Sequence, residues 1–194
     1  MAKQILIIHG HPDPDRHRFN YQLAMAYKQA AMDAGLQVKE VFVADIDFPL
    51  LRSFQQYYEE EPPEAIRSCQ SAIGWADHMV IFYPLWMGGM PALLKGFLEQ
   101  VLRPNFAFGD NPGGFPKPLL QGKSARIVVT MGMPAFAYRW FFRAHSLKSL
   151  QRNILRFCGV KPVHNTLIGS VDSDQPTRQQ EWLKTMHVLG SRGL

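Results

Sequence analysis

Apolar positions recur along the chain in short runs and at helical spacing, in alternation. Lys3 to Ile8 (KQILII) is a short continuous apolar run, the pattern of a strand buried on both faces. From Arg18 to Ala34, Phe19, Leu23, Ala26, Tyr27, Ala30 and Ala31 recur at helical spacing, and Gly35 follows as a stop. Gln37 to Val43 alternates, as a strand nearer a sheet edge does. Ile46 to Pro63 has no period, carries Glu59-Glu60-Glu61 and closes on Pro62-Pro63, a surface excursion before a helix over Glu64 to Gly74. Asp77 to Tyr83 (DHMVIFY) predicts a third buried strand, stopped by Pro84. Pro91 opens a helix that runs to Leu102. Arg103 to Gly122 reads as a long loop, Ala125 to Met131 as a fourth strand and Ser146 to Phe157 as a helix ended by Gly159. Val160 to Ile168 is a weaker fifth strand, and Thr177 to Leu189 a last amphipathic helix.

Five strands separated by helices predict one α/β domain over residues 1–194, a doubly wound parallel sheet with helices on both faces. At 194 residues and 46% hydrophobic, the chain has enough apolar material for a substantial core. No run approaches the roughly 18 apolar residues needed to span a bilayer, and the first residues lack a secretory pattern. A cytoplasmic protein is expected. Cys69 and Cys158, in apolar helical surroundings, read as buried thiols. The formal charge of +5 reads as Lys and Arg scattered among acids. That pattern suits phosphate-bearing cofactors better than nucleic acid. No metal site is assigned.

In such sheets ligands bind beyond the carboxyl ends of the strands. Three strand ends have unusual composition. The first, His9 to Arg18, enters a helix directly, and a helix N-terminus binds phosphate through unpaired N–H groups. His11, Arg16, His17, Arg18 and the amides around Phe19 and Asn20 add donors and charge. The GxGxxG and GxxxxGK[ST] fingerprints are absent. The second, Pro84-Leu-Trp-Met-Gly-Gly-Met-Pro91, offers Trp86 as a flat stacking face and two glycines for close backbone approach, unless Trp86 merely covers the core. The third, from Thr130 and Gly132 to His145, holds Tyr138 and His145 as the side chains able to relay protons. A structural role for His145 stays open. Strand 3 ends in Tyr83-Pro84 where phosphoacceptor receiver chemistry needs an Asp, which excludes that class.

HGHP followed by FN, then DHMVIFYPLWMGGMPALLKGFLEQVL, TMG and FCG resemble the flavodoxin-like NAD(P)H:quinone reductases. That family includes DT-diaphorase, modulator of drug activity B and the ancillary oxidoreductases of potassium-efflux systems. The resemblance implies strand order 2-1-3-4-5 and a homodimer with flavin sites at its interface. It places His11, Phe19 and Asn20 on the flavin phosphates, Pro84, Leu85, Trp86 and Met87 along the isoalloxazine, and Thr130 and Gly132 at the ring's polar edge. Tyr138 and His145 fall by order on the family's residues near the ring. The implied activity is NAD(P)H-dependent, ping-pong hydride transfer to a quinone or similar flat acceptor. The alternative is a flavin-binding regulatory subunit docked on a membrane transporter. FAD is expected over FMN, because Arg16 and Arg18 supply charge for a pyrophosphate. The stretch Tyr138 to Phe142, with Phe106 and Phe108, suggests the dimer interface.

Overall fold

A computed structural model describes residues 2–111, 113–172 and 176–194. In chain order its elements begin with β1 (Gln4–His9), α1 (Phe19–Asp33), β2 (Gln37–Phe42), α2 (Phe54–Tyr58), α3 (Glu64–Trp75), β3 (His78–Pro84) and α4 (Ala92–Val101). A minor hairpin follows, β4 (Phe108–Gly109) with β5 (Lys117–Pro118). Next come β6 (Ser124–Thr130), α5 (Ala135–Trp140), α6 (His145–Lys148), β7 (Val163–Ile168) and α7 (Pro176–Arg192).

The five long strands make one parallel sheet in the order β2-β1-β3-β6-β7. With the minor hairpin set aside, this is the expected 2-1-3-4-5 order. Side chains of a strand alternate between faces, so each strand feeds two cores. Leu6, Ile8, Met79, Ile81, Tyr83, Ile127 and Val129 face α3 and α4, against Ile66, Ile73, Leu94 and Phe97. Ile5, Ile7, Val80, Phe82 and Val128 face α1 and α7, against Leu23, Tyr27 and Met186. The central strand β3 is buried over its whole length. That burial on both faces explains its unbroken apolar run.

Helices α1 and α7 pack so closely that only glycine fits at the crossing. A Cβ on Gly190 would stand 2.2 Å from the Tyr27 carbonyl oxygen. Both cysteines are free and buried, and burial pushes the Cys158 thiol up to about 12. Among the described residues no helix is long and apolar enough to cross a membrane.

Several segments differ from the sequence reading. The excursion after β2 contains α2, capped by Ser53, whose hydroxyl accepts from Gln56 N–H at 3.1 Å. The expected helix from Ser146 to Phe157 begins as α6 and continues as a π-helical turn over Ser149–Leu155. The charges are not scattered: every formal charge between Asp110 and Asp172 is positive. Of these, Lys148, Arg152 and Arg156 lie on the exposed side of the α6 and π-helical segment.

Candidate functional site

At the carboxyl end of β1, Gly10 N–H donates to Phe82 O at 2.7 Å, tying the first loop to β3. Here a Cβ would meet Leu94 at 2.7 Å, so Gly10 lets the chain turn tightly over α4. His11 Nδ1 accepts from Asp13 N–H at 3.0 Å, which leaves Nε2 to carry the ring proton as a donor. Burial lowers the His11 pKa, favouring this neutral form. Asp13 accepts from Asp15 N–H, and Asp15 in turn from His17 N–H, a chain of Asx turns that leads into α1. Phe19 and Asn20 open α1, so their N–H groups have no partner within the helix. The Asn20 side chain is buried, and its Nδ2 donates to Thr130 Oγ1 at 3.2 Å. That bond joins the first loop to the end of β6.

The two arginines are already engaged. Arg18 donates to Asp13 from Nε at 2.8 Å. Arg16 pairs with Asp45 at 2.5 Å and lies over the Phe42 ring at 3.9 Å. Beneath it, His9 stacks on Phe42 and meets Glu40 at 3.0 Å, while Lys28 pairs with the other Glu40 oxygen. Burial lowers the His9 pKa despite Glu40.

The second loop is a tight turn in which Trp86 N–H donates to Gly89 O at 2.9 Å and Gly89 N–H to Trp86 O at 2.8 Å. Met87 and Gly88 form its tip with left-handed φ values of 46° and 75°. Thus the strained residue is Met87, not Gly89 as the paired glycines suggest. Trp86 does not cover the core: it is 50% exposed and stands edge-on to His11, ring centroids 6.0 Å apart. Leu85 N–H donates to Thr130 O at 2.7 Å, so the second and third loops leave the sheet together.

These loops enclose a cleft of about 390 Å³. Nine expected residues line it: His11, Arg18, Phe19, Asn20, Pro84, Leu85, Trp86, Thr130 and Gly132. Arg16 faces an adjoining hollow beside His9 and Phe42, and Met87 points to solvent. Tyr138 and His145 do not line the cleft. Tyr138 is buried, its hydroxyl accepting from Leu147 N–H at 3.2 Å, and His145 is exposed at the start of α6. The sequence reading missed Val171 and Asp172, which close the cleft from the loop after β7. A signal existed, since that loop leaves the same edge of the sheet.

A larger cavity of about 590 Å³ lies between α2, α4 and the π-helical turn. Its walls are mainly apolar, and its Lys95 and Glu99 pair with each other. It is not at the strand ends where this architecture places ligands.

The 390 Å³ cleft is of the size that takes small cofactors. Its free helix amides suit a phosphate, and its Pro84-Leu85-Trp86 wall suits a flat ring. The residues therefore fit a flavin.

An open parallel sheet with such a cleft at its carboxyl edge defines a doubly wound α/β ligand-binding protein. Residues 3–188 match the family described as flavodoxin-like fold. An uncharacterized NAD(P)H oxidoreductase of Haemophilus influenzae is 29% identical over 170 residues, spanning 86% of this chain and 83% of that one. NAD(P)H dehydrogenase [quinone] 1 of Rattus norvegicus is 27% identical over 217 residues, spanning 97% and 78%. An FMN-dependent NADH-azoreductase of Bacillus anthracis, solved with FMN, shares the fold with a TM-score of 0.78 at 18% identity, covering 98% of this chain and 99% of that one. The chain belongs to the flavodoxin-like family, among its NAD(P)H:quinone reductase relatives, and is an oxidoreductase.

Proposed function

We propose that the protein holds a flavin in the Trp86 cleft and passes hydride from NAD(P)H to a quinone or similar flat acceptor, the two substrates using the same face in turn. The observation that carries this reading is the meeting, in one cleft, of free α1 amides, an exposed indole and the Thr130–Gly132 turn. A bound flavin supplies hydride transfer, which no side chain here performs. The chain's own residues bind and orient. Phe19 and Asn20 N–H, with the His11 Nε2 proton, meet the phosphate. Pro84, Leu85 and Trp86 hold the ring, and Thr130 and Gly132 meet its polar edge. Tyr138 and His145 stand back from the cleft, so protons come from water at its mouth. The acid-free stretch between Asp110 and Asp172 favours approach of an anionic dinucleotide.

The flavin in this proposal is FMN, in place of the expected FAD. Arg16 and Arg18, the cations expected to meet a pyrophosphate, are neutralised by Asp45 and Asp13. Helix amides alone suffice for a single phosphate. The azoreductase neighbour solved with FMN supports the same choice.

Titration of apo-protein with each flavin tests this, read by quenching of flavin fluorescence. FMN is expected to bind tighter than FAD. Trp86→Ala is expected to weaken binding by about 1–3 kcal/mol, the scale of a lost aromatic stack. No binding of either flavin at micromolar concentration would overturn the reading. Tighter FAD binding would remove only the FMN clause.

We also infer a homodimer. Phe106 and Phe108 pack into the chain's own core and Tyr138 is buried, so they offer little to a partner. Phe136, Trp140 and Phe141 are 70–81% exposed on and just beyond α5, large apolar side chains grouped on one short segment, which suits a contact with a second copy. Light scattering at about 100 µM is expected to give the mass of two chains. A single-chain mass there would sink the inference.

A further inference from the structure

The Trp86 turn is tied to the rest of the molecule by one side chain from far along the sequence. After the Trp86–Gly89 pair closes the turn, the next amide, Met90 N–H, donates to Ser146 Oγ at 3.2 Å. The residue next to Ser146 is held in turn: Leu147 N–H donates to the Tyr138 hydroxyl at 3.2 Å. The Tyr138 ring is buried, so this brace is held inside the core.

The backbone that delivers Ser146 is unusual. Arg143 and Ala144, both non-glycine, take left-handed φ values of 53° and 47° in succession. L side chains resist that conformation, and it persists only where surrounding contacts hold it. Here Ala144 is buried, and its N–H donates to the Tyr138 carbonyl at 3.0 Å. The strained pair thus leads into α6, with Ala144 as its N-cap, and aims Ser146 at Met90. At Gly89 a Cβ would stand 3.6 Å from Ser146 Oγ, so the hydroxyl lies directly behind the turn.

We propose that Ser146, braced by Tyr138, is a positioning residue that latches the Trp86 turn in place beside the cleft. The functional part of this rests on the flavin reading of the cleft. Tyr138 then acts through Ser146 rather than as a proton donor. The latch couples the second and third loops, so that Trp86 keeps its place when an acceptor enters and leaves.

The test compares Ser146→Ala, Ser146→Thr and Tyr138→Phe with the parent protein by hydrogen exchange over residues 85–92 and by steady-state kinetics. In Ser146→Ala the Met90 amide is expected to exchange roughly 3- to 10-fold faster, the scale of one lost hydrogen bond. The acceptor KM is expected to rise more than kcat falls, because the ring wall loosens while the cofactor chemistry is untouched. Ser146→Thr keeps the hydroxyl and is expected to restore both. Tyr138→Phe is expected to move both readouts the same way by a smaller factor. A folded Ser146→Ala protein with unchanged exchange over 85–92 and unchanged acceptor KM would overturn the latch. The exchange measurement needs no bound flavin. Failure of flavin binding would therefore leave the exchange result standing, whereas unchanged exchange in a flavin-binding protein sinks the latch alone.

Discussion

Between pH 6.5 and about 3 the fold is expected to lose stability through His78 at about 1.4 kcal/mol per pH unit, on the order of 5 kcal/mol in all. His78 stands at the start of β3, opposite Ser124, and is 1% exposed. Its Nδ1 lies 2.7 Å from Ser124 Oγ, and Nε2 is buried with no partner. Burial disfavours the imidazolium, and the positive charges of Lys3, Arg126 and His164 add to the effect, so its pKa falls to about 3. The folded value lies below the unfolded one, so the unfolded chain takes up the proton first. His78 stabilises fully above pH 6.5, and its contribution is lost as pH falls toward the folded value. Urea unfolding of the parent and of His78→Asn, from pH 7 to 3.5, isolates this share. His9 and Glu40 shift the same way in both proteins and cancel. The two stability curves are expected to converge on acidification with a slope difference near one proton. Parallel curves would show that His78 does not titrate with folding.

Much of the fold is legible in the chain because the sheet is covered on both faces. Such strands cannot alternate, and KQILII and DHMVIFY announce themselves as continuous apolar runs. The site is legible for a related reason. Strand ends in this architecture carry the ligand, and three of them hold His, Trp and Gly where plain turn residues would serve. The rest depends on partners distant in sequence. Arg16 meets Asp45 across 29 positions, a pairing that no local pattern reveals and that removes the charge argument for FAD. Trp86 is ambiguous until its exposure is known, since the same indole suits a core or a ligand wall. Helix α5 has six residues, too few to display a period. Other features were readable and are easily passed over. Ser53-x-x-Gln56 is an N-terminal capping pattern: Ser53 Oγ accepts from Gln56 N–H as the pattern predicts, while Gln56 Oε1 takes the N–H of Arg52, one residue before the cap. The acid-free stretch after Asp110 emerges only when charge is counted by segment.

Replacing Gly169 with alanine is expected to cost about 1–3 kcal/mol of stability and to weaken flavin binding as well. Gly169 follows β7 directly and touches no atom of the cleft's ring wall. A Cβ there would stand 2.2 Å from Ala135 N, 2.7 Å from Met133 O and 2.9 Å from the Pro134 carbonyl carbon, all of them backbone. No side chain can swing aside to relieve these contacts. Two hydrogen bonds close the same seam: Ser170 N–H donates to Met133 O at 3.0 Å and Val171 N–H to Met131 O at 3.2 Å. An added methyl must part the seam, and the third loop moves as a piece because Leu85 N–H is bonded to Thr130 O on its other side. Thr130 and Gly132 would shift with it, and Asp172 would leave its place over Gly132. Gly74→Ala is the control, because that glycine lies exposed near the end of α3 with nothing within 4 Å of a new Cβ. It is expected to be neutral or to stabilise by up to about 1 kcal/mol, the helix preference for alanine. Thermal unfolding and FMN titration of both variants decide the matter. A Gly169→Ala protein that melts like its parent and binds FMN as tightly would show that the seam has room, and that the third loop is not held from β7.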